Sequence, residues 1–448
     1  MEEKTITEKP DINNIYKLDG KIPAKTTFLL ALQHILAMFV ANMTPIILIT
    51  GVAKVNGAPL APETIPALIQ NSMLVAGIAT MIQVCGIGVI GSRLPIVMGV
   101  SFTFLSVMMQ VAAVNFNTAI GAVIVGGCVE GILGLTYKYW KRLISPVVAA
   151  CVVSGIGISL FPIGITSLGG GNPMMADFGS IKYWLIGIIT LVFCIVAKYC
   201  LYGYKKTYFM VFGLIIGYIF SYFFGMVDFS NIWKGGIFAC PDFLPTGMPE
   251  FELSSIISMI VIFLVSATET IGDTAGLCQG VLDRNFTEKE GQGSLACDGF
   301  ASALAGLFGS SPITSFSQNV GLVTYTKAVN RSIIKVAGGF LILASFFPPI
   351  ARFLHTIPQP VLGGCTIIIF GQIFVIGLKM LSKIGYNDRN IFIISLSLAF
   401  GVGFSETKQI FNHMPALVQN LFANNMVAVV FLVAIVLDLT LPKDTKLD

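Results

Sequence analysis

Within one long apolar run the chain reads Ser266-Ala267-Thr268-Glu269-Thr270-Ile271-Gly272-Asp273-Thr274, so Glu269 and Asp273 fall four residues apart on one face of any helix formed there. An acidic side chain at the centre of a membrane span costs about 2.5–3.5 kcal/mol to insert, so each one asks for a reason. Two on one face suit a cation or proton site, or an anchor for the N–H groups of a ligand. The plainer alternative is pairing with Thr or backbone donors at a helix end. Asp298, in Ala296-Cys297-Asp298-Gly299-Phe300, reads equally as a functional carboxyl or as the N-terminal cap of a helix that starts there. Glu130 and Asp438 also lie in apolar runs; interhelical hydrogen bonding is the preferred reading for both, with snorkelling to the surface an alternative for Asp438. Gln33-His34 interrupts the first apolar run, and a lone interior His is more often a satisfied donor than a ligand. His355 and His413 stand near run ends and the nine Cys are scattered, so neither a metal nor another cofactor is expected. The Cys read as small packing residues rather than disulfides.

A second polar feature is Ser311-Pro312-Ile313-Thr314-Ser315-Phe316-Ser317-Gln318-Asn319-Val320-Gly321-Leu322-Val323-Thr324-Tyr325-Thr326-Lys327. Hydroxyls, amides, a proline and a glycine together do not make a lipid-facing helix. At membrane depth, backbone freed by Pro and Gly must find partners inside the protein or line a wet cavity, so this stretch marks a site.

The elements that hold these residues follow from composition. With 448 residues, 55% hydrophobic, 11% charged and a mean hydropathy of +0.84, the chain is an all-α polytopic membrane protein; soluble proteins carry about 25% charged residues. Runs able to cross roughly 30 Å of hydrocarbon fall at 26–50, 66–90, 94–114, 118–137, 145–168, 180–200, 209–227, 251–277, 295–309, 312–328, 332–356, 360–381, 388–405 and 425–441, about fourteen spans. The polar residues 1–25 lack a signal-peptide core and are expected to be a cytoplasmic tail. Placing Lys4, Lys9, Lys17, Lys21 and Lys25 inside leaves only Lys54, Lys182, Lys234, Arg352 and Lys408 of the 27 basic residues outside. The loop residues Lys141, Arg142, Lys205 and Lys206 and the terminal Lys443 and Lys446 fall inside, as the positive-inside rule requires. The net charge of +4 is therefore a topology signal, and no nucleic-acid partner is expected.

Seven runs before the polar loop at 228–250 and seven after it make the halves inverted repeats, a transporter signature. Their third runs match: Pro95-Ile96 and Pro312-Ile313 are each followed, six residues after the proline, by a polar residue, Ser101 and Gln318. Prolines and β-branched residues there predict short extended pieces in segments 3 and 10, each leading into a half-helix. Two half-helix N-termini meeting at mid-membrane form a polar pocket for a small acceptor-rich molecule. Phe102 is placed to stack on a planar ring, with Ser101 and Gln318 reading polar edges; ordinary packing at a tight crossing is the alternative.

Gln318-Asn319-Val320-Gly321-x4-Thr326-Lys327 resembles the tenth-span motif of the nucleobase-ascorbate transporters. Gln33-His34, the Glu269/Asp273 pair and Asp298 resemble that family's features in spans one, eight and nine, and the order agrees over essentially the whole chain. The resemblance implies a fourteen-span fold of two inverted seven-span repeats, often dimeric. It divides the chain into a tail (1–25), a core domain (26–137 and 251–358) and a gate domain (138–250 and 359–448), with the core moving against the gate. It implies Glu269 as the anchor for ring N–H groups and Gln318 as reader of the opposite edge. Asn319 would hold the half-helix, with Ser101 and Phe102 also at the ligand, and Asp298, His34 and Asp273 would serve proton coupling. Gln at 318 is similar to xanthine and urate carriers; Glu there resembles uracil carriers and Pro the ascorbate branch. The expectation is a proton-coupled oxopurine symporter of a bacterial inner membrane, with xanthine as the first cargo and uric acid as the second, working by an elevator-like shift. The alternatives are a uracil or other nucleobase symporter, or an anion carrier or channel of the same architecture, which Glu269 disfavours. An intramembrane enzyme would need a nucleophile with a base or a metal set, and neither is evident.

Overall fold

The computed structural model describes residues 10–140, 145–202, 208–230, 232–234, 236–415, 418–423 and 425–442. Lys4, Lys9, Lys141, Arg142, Lys205, Lys206, Lys443 and Lys446, used in the charge argument, lie outside the described residues. In chain order the helices are α1 (Ala24–Thr50), α2 (Thr64–Cys85), α3 (Leu105–Ala112), α4 (Phe116–Leu135), α5 (Pro146–Leu168), α6 (Ile181–Cys200), α7 (Phe209–Phe223) and α8 (Leu253–Val281). They continue with α9 (Glu288–Leu307), α10 (Ser317–Thr326), α11 (Arg331–Ser345), α12 (Pro348–His355), α13 (Gln359–Ile384), α14 (Asp388–Glu406) and α15 (Met426–Thr440). Among the described residues seven helices are long and apolar enough to cross a membrane, or eight if α11 and α12 count as one span. The protein is therefore a mostly helical, multi-pass membrane protein.

Four short strands accompany these helices. β1 (Lys54–Val55) and β2 (Ala58–Pro59) form a hairpin whose turn, Asn56-Gly57, has both residues at positive φ, the geometry that Asn-Gly favours. β3 (Met98–Val100) and β4 (Ile313–Ser315) pair antiparallel with each other, Met98 opposite Ser315, Gly99 opposite Thr314 and Val100 opposite Ile313. The extended pieces expected in segments 3 and 10 are present, and each answers the other's backbone hydrogen bonds in the apolar interior, where water cannot. Each then runs into a helix, through a 3-10 turn at Phe102–Phe104 into α3, and directly into α10.

Two expectations are corrected. The ninth span does not begin at 295: α9 starts at Glu288, where Thr287 accepts from Glu290 N at 3.3 Å and Glu290 accepts from Thr287 N at 2.7 Å, a complete capping box. That cap satisfies the polar first turn, which hydropathy alone read as loop. Asp298 is consequently in mid-helix and caps nothing. The eleventh run is broken before Pro348, with α11 and α12 at 85° to each other.

The helices pack in two groups. α2 lies on α11, α4 on α9 and α8, and α1 on α11; separately, α5 lies on α13 and α15, α6 on α7 and α13, and α14 on α15. Glycine permits the tightest crossings. A Cβ on Gly299 of α9 would stand 2.0 Å from the backbone nitrogen of Gly131 in α4, and one on Gly157 of α5 would stand 2.5 Å from that of Phe374 in α13. Ile15 and Asp19, ahead of α1, are docked at the start of α11: Val329 N donates to Ile15 O at 2.9 Å and Arg331 pairs with Asp19 at 2.6 Å.

Candidate functional site

The paired strands fix where both half-helices begin. Val100 N donates to Asn42 Oδ1 at 2.5 Å, Met98 N to Thr80 Oγ1 at 2.9 Å and Ser101 N to Pro312 O at 3.0 Å. On the other strand Ile313 N donates to Ser302 Oγ at 3.0 Å, and Ser315 N to Asp298 Oδ2 at 3.2 Å. Asp298 also accepts from the Thr270 hydroxyl. It thus ties α8, α9 and β4 together from behind. Ser101 accepts from Thr103 N at 3.3 Å and starts the 3-10 turn.

The two α8 carboxylates face these half-helix starts. Glu269 Oε2 accepts from the Thr103 hydroxyl at 2.6 Å. Asp273 Oδ2 accepts from the hydroxyls of Ser315, 2.8 Å, and Ser317, 2.9 Å. Ser317 also lies 3.4 Å from Glu269 Oε1, but a hydroxyl has one proton, and the shorter contact to Asp273 takes it. Glu269 Oε1 is left as the free acceptor.

These groups open onto a cavity of about 450 Å³ between the two helix groups. One wall holds Ser101, Phe102, Thr103, Thr268, Glu269, Gly272, Asp273 and Thr314 to Gln318; the other holds Val153 of α5 and Ile369, Gln372, Ile373, Ile376 and Met380 of α13. The Phe102 ring meets Phe370 of α13 edge-on, centroids 5.5 Å apart, which closes one side of the cavity where the groups meet. Among the described residues no Lys or Arg lines it. Two carboxylates, two amides and apolar walls favour a small uncharged ligand rich in N–H donors. A larger cavity of about 660 Å³, beyond α3 and lined by Ser106, Gln110, Ser159, Glu406 and Lys408 among others, holds none of Glu269, Asp273 or Asp298.

Of the sequence-predicted residues, Ser101, Phe102, Glu269, Asp273 and Gln318 line one cavity. Asn319 does not: its side chain turns to α1 and donates to His34 O at 3.3 Å. His34 is buried behind α10 with Nδ1 unpartnered, and among the described residues no hydrogen bond joins it to Asp298. Asp438 pairs with Arg389 at 2.9 Å within the second group, away from the site. Sequence reasoning missed Thr103, Ser315, Ser317 and Gln372. Nearness to Ser101 and Gln318 was a signal for the first three; a lone amide in the apolar run after Gly371 was the signal for the last.

A family model described as a permease family matches residues 25–410. The chain belongs to the nucleobase-ascorbate transporter family. It is a transporter and not an enzyme. It is similar to xanthine permease XanP of Escherichia coli, 32% identical over 448 residues, covering 96% of this chain and 95% of that one. It is also similar to uric acid permease PucK of Bacillus subtilis, 31% identical over 388 residues, covering 86% and 89%. Among solved structures, murine Slc26a9, an anion transporter in the inward-facing state, aligns over 98% of this chain and 74% of its own with a TM-score of 0.61 at 11% identity, a likeness of fold alone.

Proposed function

We propose that this nucleobase-ascorbate transporter imports an oxopurine together with a proton, xanthine first and uric acid second. The observation that carries the reading is the free Glu269 Oε1 on one wall with the Gln318 amide on the same cavity, which makes no side-chain hydrogen bond among the described residues. Glu269 accepts ring N–H groups. Gln318 both donates and accepts, matching a carbonyl next to a ring N–H. Phe102 and the apolar α13 wall sandwich the ring, and two carboxylates with no Lys or Arg in the lining among the described residues argue against an anion as cargo.

The helix grouping supports an elevator-like movement of core (26–137, 251–358) against gate (138–250, 359–448), since most packing is within each set and the cavity lies between them. Fourteen spans in two inverted repeats fit the antiparallel pairing of β3 and β4, the equivalent pieces of the two halves. Cytoplasmic termini, a bacterial inner membrane and a homodimer complete the proposal. Asp273 and Asp298 support the proton-linked network, with His34 backing α10. One proton at 100 mV supplies about 2.3 kcal/mol, enough for roughly 50-fold accumulation at about 1.4 kcal/mol per tenfold.

The test is uptake of labelled xanthine by cells lacking their own base permeases, with and without a protonophore and with excess urate, uracil, guanine or hypoxanthine. Protonophore-sensitive uptake competed by xanthine and urate supports the proposal. Competition by uracil alone, or no uptake of any base, overturns it.

A further inference from the structure

Glu130 of α4 lies deeper than the cavity and takes no part in ligand contact. It is fully buried, and neither of its side-chain oxygens has a hydrogen-bond partner. The titratable groups that face it are Asp298 on α9 and Glu269 on α8; Ser266 of α8 also approaches it, and among the described residues no cation does. Asp298 shows the complementary pattern. Its Oδ2 accepts from Thr270 and from Ser315 N, while its Oδ1 is buried and unpartnered. Three carboxyl oxygens and the Ser266 hydroxyl are thus buried at one junction of α4, α8 and α9, with no partner at hydrogen-bond geometry among the described residues. If both carboxyls were ionised, Asp298 Oδ1 and both Glu130 oxygens would carry charge with no hydrogen-bond partner and the two groups would repel one another, a strongly unfavourable state in the membrane interior. A cation relieves both penalties. The junction favours the smallest one, because α4 and α9 are in backbone contact: a Cβ on Gly299 would stand 2.0 Å from Gly131 N, and one on Gly127 2.5 Å from Ala303 N.

We propose that Glu130 and Asp298 form a carboxyl pair that holds the co-transported proton, so the coupling site lies behind the ligand cavity and is separate from it. This rests on the proton-coupled reading above. Ser315 joins the two sites: its N–H donates to Asp298 and its hydroxyl to Asp273, and it lines the cavity itself. A ligand seated against β4 therefore acts on a strand that also bonds the pair, so ligand binding and proton binding are linked and the linkage is reciprocal. The proton joins the pair on one side of the membrane and leaves it on the other; no bond to the ligand forms or breaks.

The test is Glu130→Gln, which imitates the permanently protonated acid, in cells lacking their own base permeases. Labelled xanthine should still exchange against internal xanthine within about threefold of the wild-type rate, while accumulation falls from roughly 50-fold at 100 mV to about one and protonophore sensitivity disappears. Wild-type accumulation with protonophore sensitivity retained in E130Q overturns the proposal, as does loss of exchange in E130Q present at wild-type level in the membrane. A wild type insensitive to protonophore refutes the proton-coupled reading itself, and a wild type driven by sodium refutes the proton as occupant. Should E130Q fail to reach the membrane, infrared difference spectra of the purified protein with and without xanthine decide the matter. The carbonyl-stretch band of a protonated carboxyl should move in Glu130→Asp, and a band unmoved by that change overturns the pairing.

Discussion

Glu269→Gln tests the site most directly, because the two oxygens of Glu269 have different duties. Oε2 is held by the Thr103 hydroxyl at 2.6 Å, and Oε1 has only the 3.4 Å approach of Ser317, whose proton goes to Asp273. In the variant the Thr103 hydroxyl can reverse and accept from the new amide, or keep donating to its oxygen, so the wall keeps its shape. What is lost falls on the ligand: a hydrogen bond to an ionised group contributes about 1.5–3 kcal/mol. That corresponds to roughly 10- to 150-fold weaker xanthine binding at about 1.4 kcal/mol per tenfold. The assay is equilibrium binding of labelled xanthine to purified protein, with uptake at matched membrane levels beside it. Affinity within threefold of wild type would refute the anchor role of Glu269.

Asp273→Asn should weaken binding by less than about tenfold, since both contacts of Oδ2 are hydroxyls inside the protein and the Asn oxygen can still accept from them; the same binding assay checks it. Gln318→Glu removes the amide donor, and competition assays should show xanthine losing at least tenfold while uracil gains relative to it. Thr287→Ala deletes the cap of α9 and should destabilise by about 0.5–2 kcal/mol, read as a lower melting temperature in detergent with xanthine affinity unchanged. Gly299→Ala pushes a Cβ to 2.0 Å from Gly131 N, so the α4–α9 crossing must open; overpacking of this kind costs typically 1–3 kcal/mol, read in the same melting assay.

The carboxyls were legible because an ionisable side chain in an apolar run is conspicuous whatever the fold. The broken stretch from Ser311 was legible because Pro, Gly and hydroxyls contradict a lipid-facing helix. The hydroxyls that hold those carboxyls were not: helical Ser and Thr commonly bond their own backbone, as Thr268 does to Val265 O at 2.7 Å, and nothing in the sequence says that Thr103 and Ser317 instead reach across to α8. Asn319 shows the converse. Adjacent to Gln318 in sequence, it faces the other side of α10, because successive helical residues point about 100° apart.

By itself the sequence determined that the chain lives in a bilayer, which residues there demand a partner, and that segments 3 and 10 carry extended pieces, since hydropathy, charge and proline act locally. Only the tertiary structure decided that those pieces pair with each other, that α9 begins seven residues before its apolar run, and that α13 supplies Gln372 to the far wall and Phe370 against Phe102. Those facts depend on how closely helices distant in sequence approach, and that distance is set by glycines meeting backbone across the crossings, a property of pairs of segments that no single segment encodes.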